Sequence, residues 1–279
     1  MKARESKSSK KLFILIVAAI VLIGTIGFVI FSKVSKEQQI PVLTYYYLAK
    51  DKDKKVSAEL KNRNTVLSVE EFEKQMKYLA DNQYRTLTLK EFNEFIKEKK
   101  KLPEKSVLIS FDNSSKSNYL YAYPILKKYK MHAVSFAVTS KIVDKEQNLD
   151  VQKVQPLSEV EMDKMKDVFE FGSHTHNLRD SADGSVALIS KSKDEVKKDV
   201  AKSQQILKTK YMSYPLGKYN RETIEVLKEL NMSLAFTSLQ GYATSEQNPL
   251  EIKRWSISTD TTMNQFSEIV SGKYKVNEK

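Results

Sequence analysis

From residue 40 to the end of the chain, short stretches rich in apolar and β-branched residues alternate with amphipathic helical stretches, and that alternation confines the chain to the α/β folds. Residues 41–47 (PVLTYYY), 106–111 (SVLISF), 133–138 (AVSFAV), 169–173 (FEFGS), 212–217 (MSYPLG, ending in a turn), 235–237 (AFT) and 252–258 (IKRWSIS) read as strands. Helix starts are marked by capping boxes, in which a Ser or Thr and a Glu three residues later satisfy each other's backbone amides. Ser68 and Glu71 open a helix carrying Phe72, Met76 and Leu79. Thr88 and Glu91 open one carrying Phe92, Phe95 and Ile96, and Ser158 and Glu161 a third. Residues 119–129, 194–210 and 222–230 are helical by pattern, as is the segment around Phe266, Ile269 and Val270, while the Lys- and Asp-rich residues 49–64 read as a solvated loop. Strand–helix units in this number predict parallel strands in an irregular or incomplete (β/α) barrel, with an open doubly wound sheet as the alternative.

Ahead of this domain, residues 12–31 form an uninterrupted apolar run of 20 residues, which matches the ~20 needed to cross a bilayer as a helix. Lys2, Arg4, Lys7, Lys10 and Lys11 precede it, and the positive-inside rule then places the amino terminus in the cytoplasm and the main domain outside the cell membrane. A cleaved signal peptide would carry a shorter apolar region of about 7–15 residues, so an uncleaved single-pass anchor is expected. The chain thus divides into a basic tail (1–11), a transmembrane anchor (12–31), a linker (32–39) and an α/β domain (40–279). The formal charge of +12 is partly local to the tail and linker, where seven Lys/Arg face only Glu5 and Glu37. The remaining excess suits an anionic envelope. Dispersed basic residues without a recognition motif argue against nucleic acid as a partner. The absence of cysteine removes disulfides, thiolate metal sites and a cysteine nucleophile.

The strand at 106–111 runs into Asp112-Asn113-Ser114-Ser115, and the strand at 169–173 ends on His174. Polar groups at the carboxyl ends of parallel strands are where α/β proteins build their sites.

Four segments in order resemble the polysaccharide deacetylases of the NodB-homology type, in particular the branch that deacetylates poly-N-acetylglucosamine in biofilm matrix. The strand-end Thr-Phe-Asp-Asp-Gly of that family corresponds to Ser110-Phe111-Asp112-Asn113-Ser114, and its Ser-His-Thr-x-x-Leu-His to Ser173 through Arg179. Its Tyr-Pro-Tyr-Gly turn corresponds to Tyr214-Pro215-Leu216-Gly217, and its first strand to Thr44 through Leu48. The resemblance implies Asp112 as catalytic base, His174 as a retained metal ligand, and Tyr45, Tyr46, Tyr214, Pro215 and Arg254 against the substrate. It also implies a divalent, zinc-type metal, which would polarise the amide carbonyl and ready a water.

The chain departs from that pattern at two ligand positions. Asn113 offers a neutral amide where a carboxylate is wanted, and Arg179 stands where an imidazole is wanted. A guanidinium stays protonated (pKa above ~12), has no lone pair and repels a cation. His176 is the spare imidazole nearby, and Arg179 is expected to pair with Asp112 in the vacated cation position. No metal cofactor is therefore expected unless the altered site still works. Three functional readings follow: a degenerate deacetylase that binds an N-acetylated polysaccharide at the cell surface, an N-deacetylase with an altered metal or none, and a non-catalytic partner of a membrane glycan synthase.

Overall fold

The computed structural model describes residues 37–180 and 185–275. The apolar run at 12–31, with the anchor and orientation expected of it, lies outside the described residues. No helix among the described residues is long and apolar enough to cross a membrane.

Seven parallel strands build the domain: β1 (Val42–Tyr45), β5 (Ser106–Asp112), β6 (Ala133–Ala137), β7 (Phe169–Ser173), β8 (Tyr211–Ser213), β9 (Leu234–Phe236) and β10 (Trp255–Ser256), in the order β10-β1-β5-β6-β7-β8-β9. Two short strands, β2 (Tyr47–Ala49) and β3 (Val66–Ser68), pair with each other, and β4 (Arg85–Thr86) adds to β5. The stretch leading into β10 joins the two ends of the order: Ile252 pairs with Phe236 of β9, and Trp255 with Leu43 of β1. Strand pairing therefore runs around a ring, as an irregular barrel requires and an open sheet does not. The ring is thinnest between β7 and β8, which share one residue pair, Ser173 with Met212, and at the single bridge from Phe236 to Ile252.

Because side chains alternate across a strand, each strand feeds two regions. Leu43, Tyr45, Val107, Ile109 and Phe111 pack outward against the helices, with Phe72, Met76 and Leu79 of α2 (Val69–Asp81). Val42, Leu108, Val134, Phe136, Leu234, Phe236 and Ile252 form the inner cluster. Its lower end is stoppered by α3 (Leu89–Glu98), whose Leu89, Phe92, Phe95 and Ile96 belong to the same cluster. Phe92 stacks on Phe236 at 5.8 Å, and Phe136 lies 5.2 Å from Phe236. The stopper is held at its first turn by its own capping box and by Glu170 of β7, which accepts from the Leu89 amide at 2.7 Å. Gly172 leaves the space that Phe136 fills, since a Cβ there would sit 2.4 Å from the Phe136 ring.

Capping chemistry placed the helices well. The boxes at Thr88 and Ser158 are present, the latter opening α5 (Glu159–Lys164), and Ser68 accepts from the Glu71 amide. Two local departures have physical causes. Residues 49–64 hold a short helix, α1 (Asp51–Val56), with acids in its first turn and lysines in its last, as the helix dipole favours. The helix expected from residue 119 begins as a wide π turn, Asn118–Ala122, before α4 (Tyr123–Lys128). Pro124 has no amide hydrogen to give the carbonyl of Leu120, and its ring crowds that carbonyl, so the turn opens.

Candidate active site

Moving up the barrel interior, the inner side chains change from apolar to hydroxyl and then to charged. Above Phe136 and Phe236 lie Thr44, Ser110 and Ser213, all buried, with Thr44 Oγ1 3.1 Å from Ser110 Oγ. Above these stand Asp112 at the end of β5, His174 just past β7, and Arg254 just ahead of β10. All three are buried, with Arg254 only 2 % exposed.

Asp112 and Arg254 form a bidentate pair, Nη1 to Oδ1 at 2.9 Å and Nη2 to Oδ2 at 2.8 Å. Arg254 also donates from Nε to the Thr237 carbonyl at 2.7 Å and from Nη2 to Ser213 Oγ at 2.9 Å. Burial alone would raise the Asp112 carboxyl, yet Arg254, helped by His174 and Ser213, holds it below the ordinary carboxylate range. The pair is thus ionised on both sides, with its buried charges matched and hydrogen-bonded.

His174 Nδ1 lies 2.9 Å from the carbonyl oxygen of Ser213. A carbonyl only accepts, so Nδ1 carries the hydrogen and Nε2 keeps its lone pair. Burial pushes the imidazole below its ordinary value, with Asp112 pulling the other way, so the ring is neutral near pH 7. Nε2 makes no hydrogen bond among the described residues.

The loops carrying these groups hold left-handed backbone that non-glycine residues adopt at a cost: Asn113 (φ 75°), Ser114 (φ 47°), Thr175 (φ 71°) and Leu216 (φ 52°). After β5 this conformation is fixed by a buried network in which Ser114 Oγ meets Ser135 Oγ at 2.7 Å and Asn118 Nδ2 donates to the same hydroxyl at 3.1 Å. Lys116, in the same loop, pairs with Glu161 of α5, both side chains buried. That pair ties the loop to the helix start that Ser158 caps.

Arg179 does not reach Asp112. Its Nε donates to Asn113 Oδ1 at 2.6 Å, its Nη1 pairs with Asp180, and Arg254 takes the place beside the carboxylate that was expected of Arg179. Length and direction decide this: Arg254 rises from inside the ring, where the carboxylate points, whereas Arg179 arrives from the loop after β7.

Other expected contacts also change. Tyr45 is buried against Phe72 and Phe111, its hydroxyl on Gln75 Oε1 at 2.8 Å. Tyr214 is buried with its hydroxyl on the Leu250 carbonyl at 2.8 Å, stacked on Tyr219 at 4.6 Å. Neither offers a free face to a sugar, Pro215 is buried beside Tyr214, and Arg254 has its donors engaged in the pair with Asp112. Tyr46 alone of the five is partly open; its phenol lies near Asp112 and 3.4 Å from Ser256 Oγ. His176 faces away, its Nδ1 2.9 Å from Thr139 Oγ1 and its amide on Asp199 at 2.7 Å.

The donors do not fit a divalent metal. The Asn113 oxygen is committed to Arg179, and both Asp112 oxygens are committed to Arg254, leaving His174 Nε2 as the one imidazole lone pair of the cluster. Among the described residues no group of three His, Asp or Glu side chains converges that could hold an ion. Ser213 and the hydroxyl layer were not anticipated; their signal was Ser or Thr at alternating positions in otherwise apolar strands.

A parallel irregular barrel thus carries a carboxylate at the end of β5 and an imidazole just past β7, two strands along the order. Residues 99–235 match the polysaccharide deacetylase family. The chain is 34% identical over 212 residues to the poly-β-1,6-N-acetyl-D-glucosamine N-deacetylase of Staphylococcus aureus, covering 73% of this chain and 71% of that protein. It is 31% identical over 213 residues to the protein of the same description from Staphylococcus epidermidis. Among solved structures, the Streptococcus pyogenes deacetylase PplD in complex with acetate superposes with a TM-score of 0.72 at 25% identity, over 84% of this chain and 99% of that one. IcaB from Ammonifex degensii superposes with a TM-score of 0.69 at 23% identity, over 85% and 98%. The chain belongs to the polysaccharide deacetylase family.

Proposed function

We propose that this protein binds an N-acetylated glucosamine polymer of the poly-β-1,6-N-acetyl-D-glucosamine kind at the outer face of the cell membrane, with little or no deacetylation. The glycan is inferred from relatives described as acting on it. The observation that carries the loss of catalysis is the hydrogen bond from Arg179 Nε to Asn113 Oδ1 at 2.6 Å, where a guanidinium and an amide occupy the positions of two metal ligands. Without a Lewis acid, the amide carbonyl stays unpolarised, and a carboxylate held below its ordinary pKa by Arg254 is a weak proton acceptor. The placement at the membrane rests on the apolar run at 12–31 and the basic residues before it.

The test is metal content and acetate release on the full-length protein with poly-β-1,6-N-acetyl-D-glucosamine, with and without added zinc. The expected result is sub-stoichiometric metal and no acetate. The double reversion Asn113→Asp with Arg179→His is expected to restore metal uptake. A second reading, residual deacetylation, draws on the intact Asp112 and the open Nε2 lone pair of His174. Stoichiometric zinc together with acetate release from the unaltered protein would favour it. Partnership with a glycan synthase would instead make residues 1–31 essential while leaving glycan binding unchanged.

A further inference from the structure

The two positions at which the chain leaves the family pattern touch each other, and they are joined to the rest of the site. Arg179 bonds Asn113, the neighbour of Asp112; Asp112 bonds Arg254; Arg254 bonds the Ser213 hydroxyl, and the carbonyl of Ser213 bonds His174. His174 also feels the charge of Arg179. Two hydrogen-bonding groups remain unspent at the ends of this chain of contacts. Arg179 uses Nε and one hydrogen of Nη1, and its Nη2 makes no hydrogen bond among the described residues. His174 Nε2 keeps an acceptor lone pair with no hydrogen bond among the described residues.

One end is a donor that is always protonated, and the other is an acceptor. An acetamido group presents the complementary set, a carbonyl oxygen that accepts and an N–H that donates. We propose that the Asn113–Arg179 pair has turned the site into a clamp for the N-acetyl group itself: Arg179 donates to the acetyl carbonyl oxygen, and His174 Nε2 accepts the amide hydrogen. This rests on the glycan-binding reading above and specifies what that binding recognises. No bond is made or broken. The charge of Asp112 is engaged by Arg254, so it does not draw in a cationic amine. A de-N-acetylated unit carries an ammonium group, which has no acceptor for Arg179 and is repelled by it, so acetylated and deacetylated polymer are told apart.

The experiment is calorimetric titration of the full-length protein with a pentamer of β-1,6-linked N-acetylglucosamine and with the same pentamer fully de-N-acetylated. The acetylated pentamer is expected to bind about tenfold or more tightly. Arg179→Gln should erase that preference, and Arg179→Lys should restore part of it by returning the charge. With its side chain 28% exposed, Arg179 can be replaced without emptying the core, and an unchanged Tm confirms folding. Equal affinity for both pentamers overturns the clamp and leaves glycan binding standing. Binding of neither removes both readings. A preference that survives Arg179→Gln also overturns the clamp.

Discussion

The lower and upper halves of the barrel interior are built on opposite terms. Below, Phe92, Phe136, Phe236, Leu234 and Ile252 fill space with apolar rings and branches, and Gly172 yields room to one of them. Above, four residues past Leu108 and two past Ile252, a buried carboxylate faces a buried guanidinium, and the flanking loops carry left-handed residues. The lower half supplies burial free energy, on the order of 25 cal/mol per Å² of apolar surface. The upper half uses part of it to hold charges and strained backbone in a set geometry. Tertiary support flows upward, which is why the polar layer can tolerate changed residues while the fold persists.

Substitutions can break this comparison, beginning where the effect is largest. Arg254→Met leaves Asp112 buried without its partner and should cost about 3–5 kcal/mol in denaturant unfolding, with the double change Asp112→Asn and Arg254→Met recovering much of the loss. A loss under 1 kcal/mol would show that water reaches the carboxylate. Phe236→Ala, in the lower half, should cost about 3–5 kcal/mol through cavity formation, with no change in pH dependence. Gly172→Ala should cost about 1–3 kcal/mol, because the added methyl meets the Phe136 ring; a compensating Phe136→Leu should return stability.

The pH profile sharpens the contrast. The folded pKa of His174 lies below the unfolded value of about 6.5, so the unfolded chain takes up the extra proton. This contribution is complete above about pH 6.5 and is lost as pH falls through that value towards the folded one. Asp112, also depressed, adds stability that is present above about 3.9 and lost as pH falls further, through its folded value. Tm measured from pH 7.5 downward should therefore fall in two stages, and His174→Asn should flatten the first. The smallest effect is expected at the stopper helix: Thr88→Ala removes a cap worth about 1 kcal/mol and should loosen the lower half without touching ligand binding.

Much of the scaffold could be read from local pattern. The strand ending in Asp112, the strand tip at His174 and the capping boxes at Thr88 and Ser158 are each short-range signals, and each lies where the periodicity put it. Further boxes at Ser192, Asn220 and Thr262 begin helices that pattern alone located only approximately. The site was less legible because its decisive contacts are long-range. Arg254 lies 142 residues from Asp112 in the chain, and nothing in the segment around it names a partner. Arg179 was matched to Asp112 by charge; the fold matched it to Asn113 by reach. The family resemblance sets Tyr45 and Tyr214 against the substrate, and burial puts both in the core, a place that aromatic residues suit as well as they suit a glycan.

The segment 252–256 has a consequence for synthesis. It is the last strand in chain order among the described residues, it knits β9 to β1, and it delivers the cation that pairs with Asp112 of β5. A nascent chain halted before residue 254 would carry an open seam and an orphaned anion in its interior. Assembly of the pocket therefore waits on synthesis of this segment, and chains truncated ahead of it should unfold more readily than the intact chain.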